Sequence, residues 1–241
     1  ARNSSNLLSV NADQIINTKS LPANLDYRTT TFGVEGQLEA LDYRYNPRKG
    51  WRLWARSGVG NKAIVKSTLI TALSDPEDPT FQFSTLYDSL EEQSTQVHSK
   101  LRVEYFQPLF KASTLRFAVQ SGWVYSPIPI YQNEQFRIGG VKALRGFDEE
   151  SIFATMYHVF SLEYRLISDR NSNFFIFGDY GYVEDKRSGF SGIDHPYGFG
   201  GGLTFETAAG LFSISLAVGG RDNLSPDLRN PKVHLGYLSI F

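Results

Sequence analysis

The chain has 241 residues, a formal net charge of −1, no cysteine, one methionine and 14% aromatic residues. The near-neutral charge gives no support to nucleic-acid binding, and the lack of cysteine removes disulfides, thiol nucleophiles and thiolate metal sites together. Abundant Phe, Tyr and Gly favour an all-β chain; no apolar run approaches the ~18 residues of a membrane helix, so spanning a bilayer would require a closed barrel.

Residues 1–30 are rich in Asn and Ser, lack the basic start and apolar core of a signal peptide, and read as a loop or irregular leader segment. From Thr31 a period of two begins: Phe32, Val34, Gly36, Leu38 and Ala40 share one face, and Glu35, Gln37 and Glu39 the other, as a strand with one polar face requires. Asn46-Pro47-Arg48-Lys49-Gly50 makes a turn, and a second strand runs from Trp51 to Lys66. Residues 67–94, with Asp75-Pro76-Glu77-Asp78-Pro79 and Glu91-Glu92, read as a long polar loop. The third strand, Thr95 to Phe110, turns His98, Lys100, Arg102 and Glu104 to its polar face, and the fourth adds Arg116. Such a row suits a channel lining or the solvated wall of any wide barrel.

After the long loop 127–154, a fifth strand (Thr155 to Ser168) carries Glu163 on the inward face. The sixth, Asn173 to Glu184, carries Phe177 and Asp179 there. The seventh, Tyr197 to Thr207, brings Glu206 near its end, and the eighth covers Leu211 to Gly219. A ninth, Val233 to Phe241, ends on an aromatic residue. Short turns alternate with long loops, as in outer-membrane barrels. Those barrels are even-numbered in bacteria, so with nine strands one is missing, miscounted or supplied by sequence outside this chain; an inward-folding loop of nearly thirty residues needs a wide barrel, which favours the last.

Within the long loop, Phe136 to Asp148 is neither strand nor ordinary turn. Gly139, Gly140 and Gly146 permit φ > 0 and a tight fold-back, and Arg145 offers five donors that deprotonation cannot switch off. The residues alone leave two readings open: a solvated loop tip, or a tip inserted among carboxylates.

The Gly-Gly and Leu-Arg-Gly-Phe stretch, Gly139 to Phe147, resembles the sixth extracellular loop of the outer-membrane protein assembly and translocation superfamily, which includes BamA, TamA and the two-partner secretion transporters. Leu144 to Ser151 is similar to the form found in assembly-factor relatives of Bacteroidota, and Phe177 to Gly181 to the family's Phe-x-Asp-x-Gly motif. The Asn46–Gly50 turn resembles a periplasmic turn of the family. The resemblance implies a transmembrane antiparallel β-barrel, of which residues 31–241 are about nine C-terminal strands of sixteen. It implies a lumen latch made by Gly139, Gly140, Leu144, Arg145, Gly146 and Phe147, with Glu163, Phe177, Asp179 and Glu206 as latch partners. It also implies a lateral seam at the last strand, through Val233, Leu235, Gly236, Tyr237 and Phe241.

The implied function is folding and insertion of other outer-membrane proteins, or their translocation, without cofactor or metal. Implied partners are outer-membrane lipids, unfolded outer-membrane proteins, periplasmic POTRA domains on further sequence and accessory lipoproteins. The alternatives are a two-partner-secretion-type transporter, a passive pore, or a small barrel with a structural role. Four scattered histidines show no metal-ligand spacing and no nucleophile motif accompanies them, so enzymatic activity is not expected.

Overall fold

A computed structural model describes residues 2–91 and 93–239. In chain order its elements are β1 (Arg2–Ser5), α1 (Ala12–Thr18), β2 (Tyr27–Leu41), β3 (Gly50–Ile64), α2 (Thr68–Thr71), β4 (Gln93–Phe110), β5 (Ser113–Tyr125), β6 (Phe136–Ile138), β7 (Ile152–Ala154), β8 (Met156–Asp169), β9 (Ser172–Arg187), β10 (Phe190–Asp194), β11 (Tyr197–Thr207), β12 (Gly210–Gly220) and β13 (Lys232–Leu238). The period-two segments form one antiparallel sheet in the order β1-β2-β3-β4-β5-β8-β9-β11-β12-β13, with β10 folded back on β9. The sheet is not closed: among the described residues no strand pairs the outer edge of β13.

Alternation sets the two faces. Phe32, Val34, Phe160, Ile176, Leu216 and Leu235 stand exposed on the outer face, while Glu104, Glu163, Phe177, Asp179 and His234 are buried on the inner one. A broad exposed apolar face of this kind is unfavourable in water and suits hydrocarbon. Most wall strands run 11 to 18 residues, enough for the ~9–11 that cross a membrane. β13 has 7 among the described residues. Phe241, expected at the end of this strand, lies outside the described residues.

At the end of the sheet that carries the long loops, two segments differ from expectation. The 1–30 leader is not wholly irregular: β1 pairs with Tyr27–Thr30 of β2, and α1 buries Ile15. The 67–94 loop is not simply polar and solvated. Its α2 and a 3-10 turn at Phe83–Tyr87 bury Ile70, Phe83 and Tyr87 with Ile15, Leu25 and Tyr131 in one apolar cluster. The apolar positions are too sparse in sequence to show a period, but three distant segments pool them into one cap. Buried Asp75 lies 3.4 Å from Lys19, and exposed Asp78 3.1 Å from it.

At the opposite end, the β2–β3 turn folds onto inward residues of neighbouring strands. Asn173 donates to Asn46 (3.0 Å), Thr114 donates to the Arg48 carbonyl (2.8 Å), and Arg48 donates to the Lys111 carbonyl.

Candidate functional site

The long loop is pinned before it enters the lumen. Lys62 on β3 and Glu134 form an ion pair at 2.7 Å with side chains 0% and 1% exposed. Glu134 also accepts from the Tyr131 backbone N–H and the Gln96 side chain, and Lys62 donates to the Pro129 carbonyl. Every partner of this buried pair is a hydrogen bond, which is the condition under which burying charge is tolerable. β6 and β7 then pair as a short hairpin, and the motif is the excursion between them.

Leu144 decides how the tip is shaped. Its φ is +65°, a left-handed conformation that costs a non-glycine residue ~1 to 3 kcal/mol. Its side chain is 1% exposed, among Val124, Ile138, Tyr157, Val159 and Val183. Burying a leucine returns ~1.5 to 3 kcal/mol, so packing holds the backbone in a shape that its own propensity opposes. That shape turns the next residue, Arg145, toward the wall.

Arg145 is held on every side. Its Nε and Nη2 donate to the two oxygens of Asp179 at 2.8 and 2.7 Å, a two-point fork, and its Nη1 donates to Glu163 at 2.7 Å. The backbone N–H of Arg145 also donates to Asp179, at 3.0 Å, and Ser161 Oγ donates to the same carboxylate at 2.6 Å. The guanidinium carbon lies 3.4 Å from the centre of the Phe177 ring, where the ring's negative face favours a cation. Burial by itself would lower the Arg145 pKa, but Asp179 and then Glu163 more than offset it and raise it above the ordinary arginine value. The arrangement is a charge clamp with no switchable proton on the arginine.

The tip sits where the wall lacks side chains. Gly146 has φ +96°, and a Cβ there would meet the Val218 carbonyl of β12 at 2.6 Å. A Cβ on Gly198 of β11 would collide with the Arg145 carbonyl, and one on Gly219 would meet the Gly146 carbonyl at 2.7 Å. Backbone therefore lies on backbone, and the Phe147 ring lies against Gly219. Gly139 and Gly140, also at positive φ, shape the other end of the excursion.

Of the residues singled out in the sequence, Glu163, Phe177 and Asp179 are brought to Arg145. Glu206 is not: it is exposed near the far end of β11, its backbone N–H toward Ser172. The tip meets β11 at Gly198, and eight residues of strand separate the two by roughly 26 Å. Facing the same side of a strand did not guarantee nearness along it. Val233, Leu235 and Tyr237 of β13 point outward and are more than half exposed.

Sequence reasoning missed the seats at Gly198 and Gly219, and it missed a charge belt. Glu39, Arg52, Glu104, Arg116, Glu163, Arg145 and Asp179 succeed one another across β2, β3, β4, β5, β8, the loop tip and β9, at 2.9, 3.3, 2.7, 3.6, 2.7 and 2.7 Å. Arg165 closes on Glu163 at 2.6 Å. Opposite signs at paired or diagonal positions, such as Arg116 against Glu163, were the available signal, but they become visible only once register is known. In the row Arg102, Glu104, Arg116 the single carboxylate bridges both arginines, and Arg116 reaches Glu163 as well.

Residues 2–230 match the family model of the Omp85 superfamily domain. No curated protein matches the chain.

Proposed function

Since the chain belongs to the Omp85 superfamily, whose members insert or transport proteins at the outer membrane, we propose that it is the latch-bearing wall of a barrel that folds and inserts other outer-membrane proteins. The observation that carries this reading is the last strand: β13 has 7 residues and an unpaired outer edge among the described residues, beside a loop clamped inside the sheet. An open strand edge is a row of unmet donors and acceptors, intolerable in hydrocarbon unless another strand pairs with it. In the resting barrel that strand is another wall strand, meeting β13 at a seam. During assembly it is a strand of the client protein, added by backbone hydrogen bonds. The 7 residues of β13 among the described residues limit the length of ladder that such a seam can form.

In this reading the outer apolar face meets outer-membrane lipid, and clients arrive unfolded from the periplasm through POTRA domains and accessory lipoproteins. The work is done by hydrogen bonding and membrane insertion, with no cofactor, metal or covalent step. The alternative, a secretion transporter or passive pore, draws on the charged inner wall.

The test uses the full-length protein. Arg145→Ala is expected to lower the amounts of other outer-membrane barrels more than it lowers its own abundance, read by quantitative immunoblotting of outer-membrane fractions. Normal client levels at normal abundance would overturn the reading.

A further inference from the structure

We propose that His234 is the positioning residue through which the lumen loop holds the last strand, so that the clamp on Arg145 and the firmness of the seam are mechanically joined. The consequence for assembly rests on the function proposed above; the tie itself does not.

The Gly146 backbone N–H donates to His234 Nε2 at 3.0 Å. With Nε2 accepting, the neutral ring carries its proton on Nδ1. Gly146 directly follows Arg145, so a single turn of chain is fastened to β8 and β9 through Glu163 and Asp179, and to β13 through His234. His234 is 6% exposed. The neighbouring contact, Lys232 to Asp148 at 2.7 Å, joins the same loop and strand, but its side chains are 43% and 70% exposed, and pairs so open to water hold little.

The rest of β13 offers few alternatives. Among the described residues its ladder with β12 runs from Leu211↔Leu238 to Ala217↔Lys232. Val233, Leu235 and Tyr237 face outward, and Gly236 on the inner face has no side chain. A histidine satisfied within its own sheet would bond to a neighbouring strand; this one reaches past Ser215, its register partner on β12, to the backbone of a loop 88 residues away in sequence. Removing the acceptor orphans a buried N–H on the loop and frees the strand at the same point.

Hydrogen exchange of the β13 amides in the full-length protein, reconstituted in lipid, reads the tie directly. His234→Leu is expected to speed exchange in β13 by roughly tenfold while β8 and β9 keep their rates. His234→Gln, whose side-chain oxygen accepts from the same N–H, is expected to stay near the unaltered protein. Unchanged β13 exchange in His234→Leu overturns the tie, and so does equal loosening by His234→Gln. If His234→Leu does not reach the membrane, Arg145→Lys carries the test: loosening the loop at its wall end must speed β13 exchange, and no change there overturns the tie. Assembly assays on the same variants separate the two proposals. Faster β13 exchange with undiminished client assembly supports the tie and removes the seam from the assembly reading.

Discussion

Arg145 shows how one side chain is made expensive to lose. Glu163 and Asp179 are buried, with side chains 3% and 1% exposed; removing Arg145 leaves Asp179 without its cation, while Glu163 keeps Arg165 and Arg116. Breaking such a pair costs ~3 to 5 kcal/mol. Arg145→Ala is therefore expected to release the loop rather than relax it, whereas Arg145→Lys keeps the charge and loses the fork to Asp179. The glycine seats give an independent handle. A valine at position 198 places a Cβ into the Arg145 carbonyl, so Gly198→Val is expected to lift the tip from the wall with the charges untouched. Limited trypsinolysis of the full-length protein checks this: Arg145, clamped in the unaltered chain, becomes cleavable in the variant.

At the scale of elements, the cap and the clamp respond differently to acid. Asp75 is held below its ordinary pKa by the Glu77 backbone N–H and, after an opposing burial effect, by Lys19. Asp78 is held low by the Thr80 hydroxyl and then by Lys19. A carboxylate with a depressed pKa in the folded state contributes stability that is present at neutral pH. That contribution is lost as pH falls below the ordinary value near ~4 and through the folded value. Lys19, raised chiefly by Asp78, contributes throughout this range and loses its charge only in strong alkali. Acidification from pH 7 to ~3 is thus expected to loosen α1 from the 67–94 segment. Hydrogen exchange across Ala12–Thr18 would rise in that interval, and flat exchange would show that the apolar cluster holds the cap without help. The Lys62–Glu134 pair anchors the loop at the edge of the cap, since Tyr131, whose N–H donates to Glu134, belongs to the cap's apolar cluster.

For the whole molecule, the loop tip lies on the inner face of the sheet and a turn folds inward at the other end, so both occupy space that a passage along this wall would need. Deleting residues 140–147 from the full-length protein is expected to raise its planar-bilayer conductance several-fold; a large, stable and selective conductance in the unaltered protein would favour the transporter or pore instead. The amino-acid sequence by itself determined the nine wall strands, their inner and outer faces and the short turns between them, because period-two alternation is a local property written residue by residue. It also marked the loop tip, since an arginine among glycines is a local signature too. What it could not carry is whatever depends on how far along two strands lie from each other. Glu163 and Glu206 look alike as inward acids, yet only register and the seats at Gly198 and Gly219 bring the tip to one and leave the other roughly 26 Å down the strand. The helical cap over Ile15, Ile70 and Phe83 was hidden for a related reason: its apolar residues come from separated segments and form a core only in space. His234 was one of four scattered histidines in the chain. Only the tertiary structure set it under Gly146, because a hydrogen bond between a last strand and a distant loop leaves no period in either.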